Sequence, residues 1–430
     1  MTTAEPSPFD FKAVLLSGFL PAALFAIGEG AIIPIIPIAA DSLGASLAIA
    51  GFVASLILVG ELIGDVPSGV VVARIGERNA MIGAALVSVV GLVVCTVAPN
   101  PVVLAVGVFL VGLSTAVFAL ARHAYMTTAI PLAVRARALS SLGGVFRFGY
   151  FVGPFIAAGV VHLTGTTQSA FWIHVVCCLA AAVTLLVLRD PATGVRGLRR
   201  PSRASRADRQ DGEAAGDAPD TGAILVQQES HGLFRTIAAN RAVLLRLGSG
   251  AGLIGAMRAG RQVILPLWAV SVGLDDATAA LVIGIAGAVD FALFYTSGQI
   301  MDRWGRLASA LPCMLGLSIS YFLLAWSGHL DARVGWFVGI AMGMSLANGV
   351  GSGILMTLGA DLAPRGNPAP FLGAWRFTGD LGQAAAPLLI SGITAVATIA
   401  VASGVMGVLG LVGAGVLLRY VPRYLPRRLR

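Results

Sequence analysis

The chain has 430 residues, of which 57% are hydrophobic and only 12% charged, and its mean hydropathy is +0.87. No soluble globular chain of this length keeps that balance, so a water-soluble enzyme or binding domain is excluded and a protein that lives in lipid is indicated. The net charge of +8 is spread in a way that reads as membrane topology, not as a nucleic-acid surface.

The first apolar run, Ala13 to Ala40, holds Phe25 and Glu29 and is far longer than the apolar core of a cleaved leader. A second run starts near 47 and carries Glu61 and Asp65, then ends in a basic turn with Gly69, Arg74, Gly76 and Arg78. Further runs start near 79, 101, 139 and 169; Arg122 falls in the inner part of the fourth, and Arg147, Gly149, Gly153 and Pro154 in the fifth. Residues 189–240 are polar, with seven arginines from Arg189 to Arg209 followed by an acidic, small-residue stretch. That composition predicts a disordered cytoplasmic linker, with Leu233 to Arg246 as an amphipathic helix lying on the membrane. Six more runs start near 243, 277, 307, 334, 368 and 398. The seventh carries Arg258, Arg261 and Trp268, and the eighth carries Asp290 before a turn with Gly298, Asp302, Arg303, Gly305 and Arg306. Arg376 and Asp380 lie in the eleventh. Each run reaches the roughly 20 residues of helix that cross a hydrocarbon core. The expected fold is an all-α membrane protein with twelve transmembrane helices, six in residues 1–188 and six in 241–430, joined by the 189–240 linker.

The two sets of six are copies. Ser68, Gly69, Arg74 and Gly76 recur as Ser297, Gly298, Arg303 and Gly305 at a constant offset of 229, which also lays Phe146, Arg147 and Phe148 onto Trp375, Arg376 and Phe377, and Glu61 onto Asp290. Arginines crowd alternate loops, while the opposite loops carry Asp41, Asp275, Asp276 and Asp331. By the positive-inside rule both termini are cytoplasmic. Lys12 is the only lysine, so no phosphate-binding loop ending in glycine, lysine and serine or threonine exists. The cysteines and histidines are scattered without metal-ligand spacing, and Gly349, Gly351 and Gly353 read as helix-packing positions inside a span. No enzyme, cofactor or metal site is expected.

The turn at Gly298, Asp302, Arg303, Gly305 and Arg306 resembles the signature of the major facilitator superfamily of secondary transporters, in which a glycine is followed by aspartate, arginine, glycine and a basic residue. Its first copy has Ala73 where the aspartate belongs. The resemblance implies that spans one, four, seven and ten line a central cavity, and that span two meets eleven and span five meets eight across the halves. It also implies a gating role for both basic turns and, through Gly149, Gly153 and Pro154, likeness to antiporter members.

Ionisable groups inside membrane spans are costly and need a partner or a task. On the span arrangement that the resemblance implies, Glu29, Arg122, Arg258 and Arg261 are the expected cavity residues, with Phe25 and Trp268 either an apolar wall or, equally, core packing. Glu29 heads the proton-coupling candidates, with Glu61 and Asp65 behind it, because Arg258, at the matching position of the second copy, can approach and leave it across the cavity and so load and release a proton; a permanently ionised Glu29–Arg258 pair is the alternative. Arg147 with Asp290, and Arg376 with Glu61 and Asp65, are the expected ion pairs between the halves; a local pair of Arg376 with Asp380, four residues apart, is the simpler alternative. The surplus of cavity arginines favours an acidic substrate. The expected function is proton-coupled export of a small organic molecule, anionic or amphiphilic, by alternating access. Proton-coupled uptake or uniport is the alternative, and a transport-inactive membrane receptor or scaffold the rival from another class. The expected partners are that substrate, protons and the bilayer, with the chain a monomer in the cell's inner membrane.

Overall fold

The computed structural model describes residues 18–129, 132–188, 238, 240–363 and 369–425. Almost all of the expected linker, the start of the Leu233 to Arg246 segment and Arg365 lie outside these residues. Fifteen helices carry the fold: α1 Leu20–Ile32, α2 Ile35–Ser42, α3 Leu47–Ile75, α4 Glu77–Thr96, α5 Pro101–Ala129, α6 Leu132–Thr164, α7 Phe171–Val187, α8 Ser249–Ser271, α9 Asp276–Ala292, α10 Phe294–Trp304, α11 Arg306–Ser327, α12 Arg333–Val350, α13 Ile354–Leu362, α14 Ala369–Val396 and α15 Ile399–Tyr424. Among the described residues nine helical segments are long and apolar enough to span a membrane, or eleven if the bent pairs α1–α2 and α9–α10 each count as one. The 28-residue α14, which carries Arg376 and Asp380, stands where the remaining expected span belongs.

The helix ends follow local chemistry. Ser46, Asn100, Asp275 and Thr398 each turn a side-chain oxygen onto a free amide of the following first turn. Asp275 accepts from the Thr278 amide at 2.9 Å, and hydrogen bonding from the Thr278 side chain together with that amide holds its carboxyl below the usual carboxylate range. The cap is therefore complete at neutral pH and is lost as pH falls through that lowered value. Asp275→Ala is expected to cost about 1 kcal/mol, read as a lowered thermal midpoint in detergent at pH 7, with the difference from wild type shrinking in acid. The two basic turns need glycine for a backbone reason: Gly76 and Gly305 have φ of +80° and +89°, closed to side chains with a Cβ, and each joins one helix to the next.

Within the first half α3 and α4 pack on α5, and α1 on α6 and α7; within the second α8 packs on α14 and α11 on α12 and α15. Between the halves α3 meets α14 and α6 meets α9. Small residues set how closely these helices cross. A Cβ at Gly153 of α6 would strike the α1 backbone at Gly30 and Ala31, and one at Gly382 of α14 would strike the Gly252 carbonyl of α8. Gly153 and Gly382 are themselves related by the 229-residue offset, so each half uses the same device.

The tenth run is broken between α12 and α13. Gly353 has φ of +79° and starts α13, and the carbonyls freed by the break are taken up by side chains. Ser309 Oγ donates to Val350 O at 2.6 Å, Arg258 Nη2 to Gly351 O at 2.6 Å and Ser297 Oγ to Ser352 O at 2.6 Å. Irregular backbone at membrane depth persists only with such internal partners. Gly349 and Gly351 do pack closely, against Leu293 and Cys313.

Candidate functional site

A cavity of about 860 Å³ lies between the halves. Its first-half wall comes from α6, with Phe146, Arg147, Tyr150, Phe151 and Pro154, and from Gly30 of α1; Arg258, Arg261 and Gln262 of α8, Asp290 and Phe291 of α9 and Asn348 of α12 face them. It runs out to Gly298 and Asp302 beside the second basic turn, and to Met356 and Thr357 of α13. On the opposite, acidic-loop face the halves touch: Ser391 Oγ donates to Ala48 O at 2.6 Å and Thr167 Oγ1 to Asp276 Oδ2 at 2.6 Å. Access is thus from the basic-turn side.

The second-half wall is a polar network. Arg261 Nη1 donates to Ser345 Oγ at 2.6 Å, and its Nη2 lies 3.4 Å from Asp290 Oδ2, which also accepts from Asn348 Nδ2 at 2.7 Å. Asp290 is therefore paired inside its own half. The expected Asp290 to Arg147 bridge is absent in this conformation, because Arg147 Nη1 instead reaches Ser352 Oγ at 2.6 Å and its guanidinium lies 4.4 Å from the Phe294 ring centre. Arg147 does cross between the halves, but to a hydroxyl and a ring. Likewise Arg376 pairs along α14 with Asp380 at 3.3 Å, the local alternative, and not with Glu61 or Asp65 across the interface. Asp380 also accepts from Gln383 Nε2 at 2.9 Å.

Several expected cavity residues sit behind its wall. Glu29 is only 3% exposed and is screened by Tyr150, whose hydroxyl donates to Glu29 Oε2 at 3.0 Å. An approach of Arg258 to Glu29 does not occur here, since Arg258 is held by Gly351 O. Arg122 lies 3.9 Å from the centre of the Phe146 ring, which stands between it and the cavity. Phe25 stacks on Phe118 at 4.1 Å and Trp268 is 2% exposed, so both are core residues and not wall: rings this large gain most where close packing surrounds them. Glu61 and Asp65 lie on α3 toward α14 and do not line the cavity.

The basic turns differ between copies. Arg306 Nε meets Asp361 Oδ2 at 2.7 Å and its Nη1 meets Asp302 Oδ1 at 3.1 Å, which ties α10, α11 and α13 together. Arg303 lies by the Trp304 ring. In the first copy Arg78 caps the end of α7 through the carbonyls of Leu185 and Leu188, while Arg74 is exposed and Gly69 buried. Without the Asp302 equivalent, the first turn binds backbone and not carboxylate.

Tyr150, Phe151, Phe291, Gln262 and Ser352 shape the cavity yet carry no sequence signal of their own, whereas Asn348 does. A lone asparagine in an apolar span was the one legible hint.

A family model described as Major Facilitator Superfamily matches residues 18–387. The chain belongs to this superfamily. It is accordingly a multi-pass membrane protein of a transporter superfamily. "Probable inositol transporter 2" of Arabidopsis thaliana is 27% identical over 114 residues, which is 26% of this chain and only 20% of that protein. Among solved structures, a D-xylose-proton symporter superposes with a TM-score of 0.72 at 16% identity, covering 96% of this chain and 98% of that one. The human organic anion transporter MFSD10 gives 0.63 at 16% identity, covering 96% and 100%. The nucleoside transporter NupG gives 0.69 at 10% identity, covering 94% and 99%. At these identities the likeness is one of fold.

Proposed function

We propose that the chain moves a small organic molecule across the cytoplasmic membrane by alternating access, with the basic turns and both termini on the cytoplasmic side, and that protonation of Glu29 drives export. On that topology the conformation described is inward-open. The hydrogen bond from Tyr150 to Glu29 is the observation that carries the coupling. Among the described residues no cation lies within ion-pair distance of Glu29, and Tyr150 stands between it and the cavity. A proton from the cavity reaches Glu29 by exchange through that phenol, and the side-chain pair sits on α1 and α6, the helices whose crossing is fixed by Gly149 and Gly153. Close packing there turns a local change of charge into a shift of whole helices.

Export rests on the antiporter-like Gly149, Gly153 and Pro154. Uptake is the second reading, favoured by the sugar-type transporters among the similar proteins. Liposomes of wild type, Glu29→Gln and Tyr150→Phe, challenged with a mixed metabolite and drug panel under an imposed pH gradient, test both. Substrate-dependent proton movement lost in Glu29→Gln and slowed in Tyr150→Phe is the expected result, and its sign gives the direction. Substrate flux without protons in all three proteins overturns the coupling.

A further inference from the structure

Two guanidinium groups on the cavity wall lack a carboxylate partner. Arg147, from the first half, is held by Ser352 Oγ at 2.6 Å, and Arg258, from the second, by Gly351 O at 2.6 Å. Their acceptors are neighbours in sequence, so two cations from opposite halves converge on one two-residue stretch of the broken span. The one cavity acid near them, Asp290, is engaged by Arg261 and Asn348. Arg258 Nε is buried with no acceptor. Like charges brought together on one cavity wall repel, and neutral oxygens offset that poorly. The stretch they share also opens α13, where Ile354 N donates to Gly351 O at 3.2 Å and the positive end of the helix dipole lies.

We propose that Arg147 and Arg258 form a seat for the oxyanion group of the substrate, a carboxylate or phosphate monoester, at the Gly351–Gly353 break. This rests on the transporter reading above and names the substrate class. The anion replaces Ser352 and Gly351 as the arginines' acceptor and joins the two halves through one charged group. Guanidinium forks match carboxylate and phosphate oxygens in pairs, which a hydroxyl and a single carbonyl do not. The body of the substrate lies along the aromatic wall, where Phe151 and Phe291 stack at 5.6 Å and Phe146 and Phe294 flank them. The seat also gives the cycle a logic: with no anion the two cations oppose closure of the basic-turn side, and with one bound they favour it. Arg261 and Arg122 take no part, the first because Asp290 neutralises it and the second because Phe146 covers it.

Binding to the purified full-length protein in detergent, read as thermal stabilisation over a titration, tests the seat with four probes of one shape: benzoate, phenyl phosphate, benzyl alcohol and benzylamine. Benzoate or phenyl phosphate is expected to stabilise wild type well beyond the neutral and cationic probes, and the stronger of the two distinguishes carboxylate from phosphate. Arg147→Gln and Arg258→Gln are each expected to weaken that binding by about tenfold or more, the loss of a charge-assisted hydrogen bond. Arg333→Gln, on the exposed start of α12, is expected to leave it unchanged. Ser352→Ala removes the competing acceptor and is expected to strengthen anion binding, which keeps the test decisive if an arginine variant does not fold. Equal stabilisation by benzyl alcohol, no anion response up to the solubility of the probes, or full binding in folded Arg147→Gln and Arg258→Gln overturns the seat. The readout needs no transport, so a failed seat leaves the liposome result standing, and failed flux leaves the seat.

Discussion

Gly382→Leu and Gly153→Leu are each expected to abolish recovery of folded, monodisperse protein, while Gly392→Leu and Gly159→Leu on the same two helices are expected to retain it. Replacing glycine by alanine inside a helix gains about 0.8–1.0 kcal/mol of intrinsic propensity, and replacing it by leucine gains somewhat less. At Gly159 and Gly392 nothing lies within 4 Å of an added Cβ, so that gain stands and the proteins are at least as stable as wild type. At Gly153 and Gly382 the first added carbon already meets backbone of α1 or α8, and no side chain can rotate aside to admit it. Overpacking against yielding side chains costs about 1–3 kcal/mol, and against backbone the helices must separate altogether. Separation of α8 from α14 or α1 from α6 also opens the cavity wall. Size-exclusion profiles and thermal midpoints in detergent check the four variants together. A well-behaved Gly382→Leu protein would show that the crossing is looser than its geometry.

Asp290→Ala is expected to cost about 3–5 kcal/mol of stability, the magnitude for removing one partner of a largely buried ion pair. The loss leaves Arg261 without its carboxylate and the Asn348 amide without its acceptor, in a site where the two charged side chains are only 12% and 19% exposed. Asp290→Asn keeps an oxygen for both donors and is expected to lose far less. The ordering of thermal midpoints, wild type above Asp290→Asn above Asp290→Ala, is the measurement. Were Arg147 the true partner of Asp290, Arg147→Ala would be as damaging as Asp290→Ala; with the observed pairing it is milder, because Arg147 leaves behind only a hydroxyl and a ring.

Much of the fold was legible in the sequence because a membrane imposes simple rules. Lipid demands long apolar helices, and the chain supplies them at regular intervals. Duplication is visible because Gly76 and Gly305 serve the same backbone conformation in both copies, and no other residue type serves it as well. Breaks were not legible. Between α12 and α13 the freed carbonyls find donors on Ser297, Ser309 and Arg258, residues 41 to 93 positions away, and no local pattern announces them.

For the site, the sequence identified which charges are buried but not which of them meet. It placed Arg147, Arg258, Arg261 and Asp290 in the interior on hydropathy alone, and the cavity contains all four. It left Phe25 and Trp268 between wall and core, which the structure resolves as core, and it put Arg122 on the wall, where the Phe146 ring covers it. The sequence by itself determined the solvent, the two-fold repeat and the glycine turns, since each follows from composition or from a backbone angle that one residue type favours. The tertiary structure decided the partners of the buried charges. Several arginines and acids of equal chemistry compete for each other in the interior, and an ion pair or hydrogen bond falls off over a few ångströms, so only the way the helices cross selects which competitor arrives.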